Sequence, residues 1–206
     1  MNNPYSERRV KGDNGEKPKI DTRKLTLLAM LSAIVVLLQY VGSVIKLGPF
    51  SISLVLSPIV VGAALLGPLA GGWLGLVFGS VVLITGDANA FLAVNPGGAV
   101  LVVMLKGALA GAVSGLVYKA LERFNKTLAC LAAATVCPLV NTGVFVVGVY
   151  AFFIDLISQW GLAAGYSDAT TFLFFGMITV NFFVEMLINI VLNPMIVRIL
   201  RYRLES

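Results

Sequence analysis

The 206-residue sequence has no histidine, two cysteines and few charges, only 12% of its residues being Asp, Glu, Lys or Arg. Each shortage excludes a class of chemistry. Without histidine there is no imidazole metal ligand and no imidazole base to activate a serine or cysteine. Cys130 and Cys137 fall in one apolar segment. Seven residues of helix separate them by about 10 Å, too far for a bridge within that helix, so both read as small hydrophobes. No Gly-x-x-x-x-Gly-Lys-[Ser/Thr] loop is present to cradle ATP, and there is no Gly-x-Ser-x-Gly elbow or His-Glu-x-x-His pair. No catalytic residue, metal or cofactor is expected, and the chain does not read as an enzyme.

What is present in excess is apolar surface. Hydrophobic residues make up 58% of the sequence, and the mean hydropathy is +0.93. A soluble domain of this length could not hide so many apolar side chains, so the bilayer must serve as a second solvent. The formal net charge of +5 does not form a nucleic-acid-binding stripe. Its charges gather at the ends of apolar runs.

Residues 1–24 form a polar tail of mixed charge, which is expected to be disordered or loosely held at lipid headgroups. It does not resemble the start of a secretory signal, so the first apolar run is expected to be retained. Six such runs follow, near Leu25–Ile45, Ser51–Leu66, Leu69–Ile84, Gly98–Leu121, Thr127–Phe153 and Thr171–Leu200. A span needs ~20 residues. The second and third runs are shorter, and read together as a helical hairpin turning at Gly67-Pro68. The expected fold is an all-α bundle of six transmembrane helices over residues 25–206.

Basic residues orient it. Arg8, Arg9, Lys11, Lys17, Lys19, Arg23 and Lys24 precede the first run, Lys119, Arg123 and Lys126 follow the fourth, and Arg198, Arg201 and Arg203 end the sixth. Six spans place all of these on one side, whereas five or seven would divide them. The opposite loops carry only Lys46, against Asp87, Asp155 and Asp168. Both termini are therefore expected in the cytoplasm.

Two features mark joints between helices. Gly71, Gly75 and Gly79 recur at four-residue spacing, as do Gly107, Gly111 and Gly115. Such spacing gives a helix a smooth face against which another backbone can pack closely, within the bundle or against a second subunit. Ala29 and Ala33 form a similar but shorter pair on the first helix.

Ionisable groups at membrane depth mark a pocket. Lys106 and Glu185 both lie inside spans, where an unpaired charge costs at least ~2.5–3.5 kcal/mol and turns toward a cavity or partner. Asn181 and Asn189 flank Glu185 at four-residue intervals and share its helix face. The segment Gly86–Gly98 adds Asp87, Asn89, Phe91 and Asn95, and reads as a loop able to close over a small molecule. Lys106 and Glu185 can form a mutual ion pair, bind an anionic solute together with the asparagines, or relay a proton.

Four stretches resemble the substrate-binding S components of energy-coupling factor (ECF) vitamin transporters. They are Ala29-x-x-x-Ala33, Pro58–Gly79 with its Leu-Gly-Pro-Leu-Ala-Gly-Gly turn, Asn95-Pro96, and Met104–Tyr118. The resemblance implies a vitamin-capturing bundle in the bacterial plasma membrane, served by a membrane T component and two cytoplasmic ATPases. It gives Ala29 and Ala33 the T-component contact. The Asn95-Pro96 and Lys106 region is most similar to pantothenate-type members, with riboflavin, folate and lipoate as alternatives. The candidate substrate-binding residues are thus Lys106, Asn95, Asn89, Glu185, Asn181 and Phe91. A proton-coupled carrier using Lys106 and Glu185 is the rival reading, and a non-transporting scaffold a third.

Overall fold

The computed structural model describes residues 22–44, 46–47, 50–51 and 54–205; side chains at 46–51, 180–181 and 200–205 lie outside the described set. The polar tail up to residue 21 and the side chains of Lys46, Asn181, Arg201 and Arg203 therefore fall outside it.

Helix α1 (Thr22–Val44) is followed by a two-residue antiparallel ladder, β1 (Lys46–Leu47) with β2 (Phe50–Ser51), paired Lys46 to Ser51 and Leu47 to Phe50. Then come α2 (Leu56–Leu66), α3 (Pro68–Thr85), α4 (Asn89–Val94), α5 (Pro96–Leu121), α6 (Lys126–Phe152) and α7 (Ile154–Ala163). A last rod begins as α8 (Ala169–Thr171), passes through a π-helical segment at Phe172–Ile178, and continues as α9 (Thr179–Glu205). Five of these helices are long and apolar enough to cross a membrane, and α2 is a shorter apolar helix. The expected helical bundle is the observed architecture.

Helix α2 differs in character from the span expected over Ser51–Leu66. At 11 residues it is about 16 Å long, half the thickness of a hydrocarbon core. Val55, Leu56, Ile59, Val60, Val61 and Ala63 are all at most 1% exposed. A helix apolar on every side belongs in a core, and α2 sits among α1, α3, α5, α6 and α9. The other sides of the long helices are exposed and apolar, carrying Leu37, Leu69, Trp73, Leu116 and Phe175.

The expected turn at Gly67-Pro68 is present. Gly67 has φ +98°, a backbone region that an L-residue enters only with strain, and Pro68 opens α3 where its missing N–H costs nothing. The two glycine stripes meet each other. Antiparallel α3 and α5 press Gly71 against the Gly111 carbonyl and Gly75 against the Gly107 carbonyl, and a Cβ at Gly79 would lie 3.0 Å from the Val103 carbonyl oxygen. The stripes are therefore the seam of the bundle itself.

Polar caps fix the helix starts. Asn95 accepts from the Gly98 N–H at 2.9 Å to begin α5, and Asn125 accepts from Thr127 and Leu128 at 2.9 and 3.1 Å to begin α6. Asp168 caps α8 by accepting from the Thr171 N–H at 2.8 Å. That backbone bond, with the Thr171 hydroxyl, holds the exposed Asp168 carboxyl below its usual range.

Two stretches expected as connectors are helical. In the Gly86–Gly98 segment, Gly86 turns the chain at φ +84° and residues 89–94 form α4. After α6, residues 154–163 form α7, which packs against α8 and the π-helical segment. Both sit at the end of the bundle opposite the basic α5–α6 turn, and together they roof the site.

Candidate functional site

Beneath that roof lies a cavity of about 140 Å³. One water needs about 10–15 Å³ on the same measure, so the space suits a small organic molecule. Helices α1, α3, α4, α5, α6 and α9 contribute residues that their packing turns inward, with further residues from the π-helical segment. Gln39 comes from α1, Phe78 and Val82 from α3, and Asp87 and Phe91 from the turn and α4. Val102 and Lys106 come from α5, Asn141, Thr142 and Phe145 from α6, and Phe182 and Glu185 from α9.

The walls are aromatic. Phe91 is 8% exposed and meets the rings of Phe145, Phe153 and Trp160 edge-on at centroid distances of 5.9, 5.1 and 5.8 Å. Edge-to-face contacts of this kind stabilise by about 0.5–1.5 kcal/mol beyond the area they bury. They hold α4 and α7 over the cavity as one layer. From the last rod, the π-helical segment brings Met177 and Ile178 to the lining. The wider π turn rotates the side chains before Thr179 relative to an unbroken α-helix, and Thr179 Oγ1 reaches back to the Phe174 carbonyl at 2.5 Å.

Lys106 provides the cationic pole. Its Nζ lies 5.6 Å from the ring centroids of both Phe78 and Phe145, within cation–π reach. Glu185 and Asp87 both act on it electrostatically. Asp87 is positioned in turn by α1, since Gln39 Nε2 donates to Asp87 Oδ2 at 2.7 Å, with the Thr85 hydroxyl at 3.4 Å from the same oxygen. The cavity thus offers one ammonium, two carboxyl groups, two amides and a hydroxyl on an aromatic surface. Among the described residues no cluster of His, Cys, Asp and Glu fits a metal ion.

Of the six candidate site residues, the structure brings Lys106, Glu185 and Phe91 together. Asn95 is occupied as the cap of α5, and Asn89 is exposed beside Gly86; neither lines the cavity. The Asn181 side chain lies outside the described residues. Asn189, on the same helix face as Glu185, serves packing below the cavity. It is 1% exposed, donates to the Glu185 carbonyl at 2.7 Å, and receives Asn193 Nδ2 at 2.9 Å and the Ser57 hydroxyl at 3.4 Å. Gln39, Asn141 and Thr142 were missed. The rule that selected Lys106 also selects the first two, because a lone amide within an apolar span must turn inward.

The cavity thus lies between long apolar helices, where bundles commonly place small-molecule sites. The family model for the ECF transporter substrate-specific component matches residues 23–197. The chain belongs to this family. Neither the curated proteins nor the solved structures give a match to it. As an S component it is a membrane-embedded substrate-specific subunit, a transport protein that works with an ECF T component and ATPases. Ala29 and Ala33 are exposed on α1, among the exposed side chains of Leu25, Met30 and Ile34.

Proposed function

We propose that this S component captures a small carboxylated vitamin, with pantothenate the best fit. One observation carries the reading: the Lys106 ammonium is presented inside an aromatic cavity, where an incoming carboxylate would form a charge-assisted bond. Asp87 and Glu185 add hydrogen-bond acceptors around the same space. Pantothenate supplies the matching groups, a carboxylate, one amide N–H and two hydroxyls. Riboflavin would leave Lys106 without an anion, and lipoate has no hydroxyl or N–H for the acceptors. Folate is much larger than pantothenate and carries two carboxylates.

In this reading residues 1–24 are a cytoplasmic tail and residues 25–206 one substrate-binding domain. The basic α5–α6 turn faces the cytoplasm with both termini, and the α4–α7 roof faces outward, so the vitamin enters from outside. Ala29 and Ala33 meet the T component, and ATP hydrolysis by the two ATPases returns the loaded bundle to the inner side.

Titration calorimetry of the purified protein tests the ligand. Pantothenate should bind the wild type, and Lys106→Met should weaken it by at least ~10-fold, the loss of one charge-assisted bond. Unchanged affinity in Lys106→Met would remove the carboxylate argument, and no binding to the wild type would remove pantothenate.

A further inference from the structure

Two side-chain oxygens among the described residues are buried without a hydrogen-bond partner, those of Asn141 and Asn193. They differ in setting. Asn193 lies outside the cavity lining, and its amide nitrogen is held by Asn189 Oδ1 at 2.9 Å. Asn141 is 8% exposed and lines the cavity. It stands one helical turn, about 6 Å along α6, from Phe145, whose ring lies 5.6 Å from the Lys106 ammonium, and both Asn141 and Lys106 line the same cavity.

One turn further along α6, across from Cys137, the buried Ser114 hydroxyl is already engaged, donating to the Gly111 carbonyl at 3.0 Å. A buried acceptor left unsatisfied is costly, so one in a cavity wall gains when a donor from the cavity completes it. Rotation about χ2 exchanges the two edges of the amide, so Asn141 can present its oxygen to a donor inside the cavity.

We infer that Asn141 reads a hydrogen-bond donor on the ligand, so that the site takes carboxylates bearing a hydroxyl or amide N–H and rejects equally anionic molecules that lack one. This rests on the reading of Lys106 as the carboxylate pole and adds a second, independent point of recognition. A site built to bond a hydroxyl or N–H discriminates strongly against the analogue without it, because the protein's own polar group is then left unpaired.

Pantothenate and lipoate are the probes, since both carry a carboxylate and only pantothenate carries hydroxyl and amide donors. Affinities are measured by calorimetry on the full chain in detergent, for the wild type, Asn141→Leu and Lys106→Met. The wild type should prefer pantothenate. Asn141→Leu should weaken pantothenate about 10- to 100-fold, the value of one buried hydrogen bond, and change lipoate by less than about 3-fold. Lys106→Met should weaken whichever carboxylate binds. The ligand-free thermal midpoint of Asn141→Leu should hold or rise, because an unsatisfied polar group has been replaced by an apolar one of similar shape.

An unchanged preference for pantothenate in Asn141→Leu would overturn the inference and leave the Lys106 reading standing. Equal loss of both ligands with a lowered ligand-free midpoint would assign Asn141 to structure alone, and overturn it too. A wild type that binds lipoate as tightly as pantothenate would refute donor recognition. Binding of neither would refute both readings.

Discussion

Gln39 on α1 donates from Nε2 to Asp87 Oδ2 at 2.7 Å, across 48 residues of sequence. Gln39 is 3% exposed in an otherwise apolar run, and Asp87 lies in the turn that leads to α4 and the roof. The bond therefore ties α1 to the cover of the cavity. Bonds to charged groups contribute about 1.5–3 kcal/mol, and breaking one side leaves the other to bear its desolvation. Gln39→Met and Asp87→Leu should each lower the thermal midpoint in detergent, and the double variant should lose less than their sum. A coupling of about 0.5–3 kcal/mol is the expected range for residues in contact. Strict additivity would show that the bond does not fasten the roof.

The α3–α5 seam predicts a sharp contrast between two glycines. A Cβ at Gly75 would overlap the Gly107 carbonyl, while one at Gly143 on α6 meets nothing within 4 Å. Backbone cannot yield as a side-chain tip can, so Gly75→Ala should destabilise by about 1–3 kcal/mol or more. Gly143→Ala should be neutral or slightly stabilising, because alanine gives up less chain freedom in a helix. Thermal denaturation of both variants in the same detergent checks the pair.

Ala29→Leu and Ala33→Leu change an exposed face of α1 away from the cavity. Stability should shift by no more than about 0.5 kcal/mol. Pantothenate affinity should also hold, while recovery of the T component in a pull-down falls steeply. Loss of ligand binding with normal assembly would contradict the assignment of these alanines to the partner contact.

Asp168 gives a small acid-side effect. Its folded carboxyl is held below the usual range by the Thr171 backbone N–H, and next by the Thr171 hydroxyl. A depressed carboxyl stabilises the fold in full above the ordinary carboxylate range, and that contribution is lost as pH falls through the lower folded value. The thermal midpoint of wild type should therefore fall on acidification slightly more than that of Asp168→Asn. Parallel pH curves for the two proteins would show that the cap does not contribute.

The bundle was legible because composition and hydropathy repeat along whole helices. The turn at Gly67-Pro68, the two glycine stripes and the inward placement of Lys106 and Glu185 all follow from residue type and spacing. The short second run was legible as one arm of a hairpin, but its full burial was not, because an apolar run looks the same in lipid and in a protein core. Its full burial comes from the five helices around it. Helices α4 and α7 are held by contacts distant in sequence, such as Phe91 on Phe153 and Trp160, and short segments carry little periodicity of their own. Asn95 shows the limit of residue type as a guide. An asparagine before a proline suits a ligand or a helix cap, and only the Gly98 N–H beside it decides for the cap.

The most direct test of the account is uptake of labelled pantothenate into proteoliposomes, with and without the T component, the two ATPases and ATP. The chain alone should bind the vitamin but carry none across the membrane, and uptake should begin only with the complete module and ATP. Uptake by the chain alone, in vesicles holding no ATPase, would contradict it.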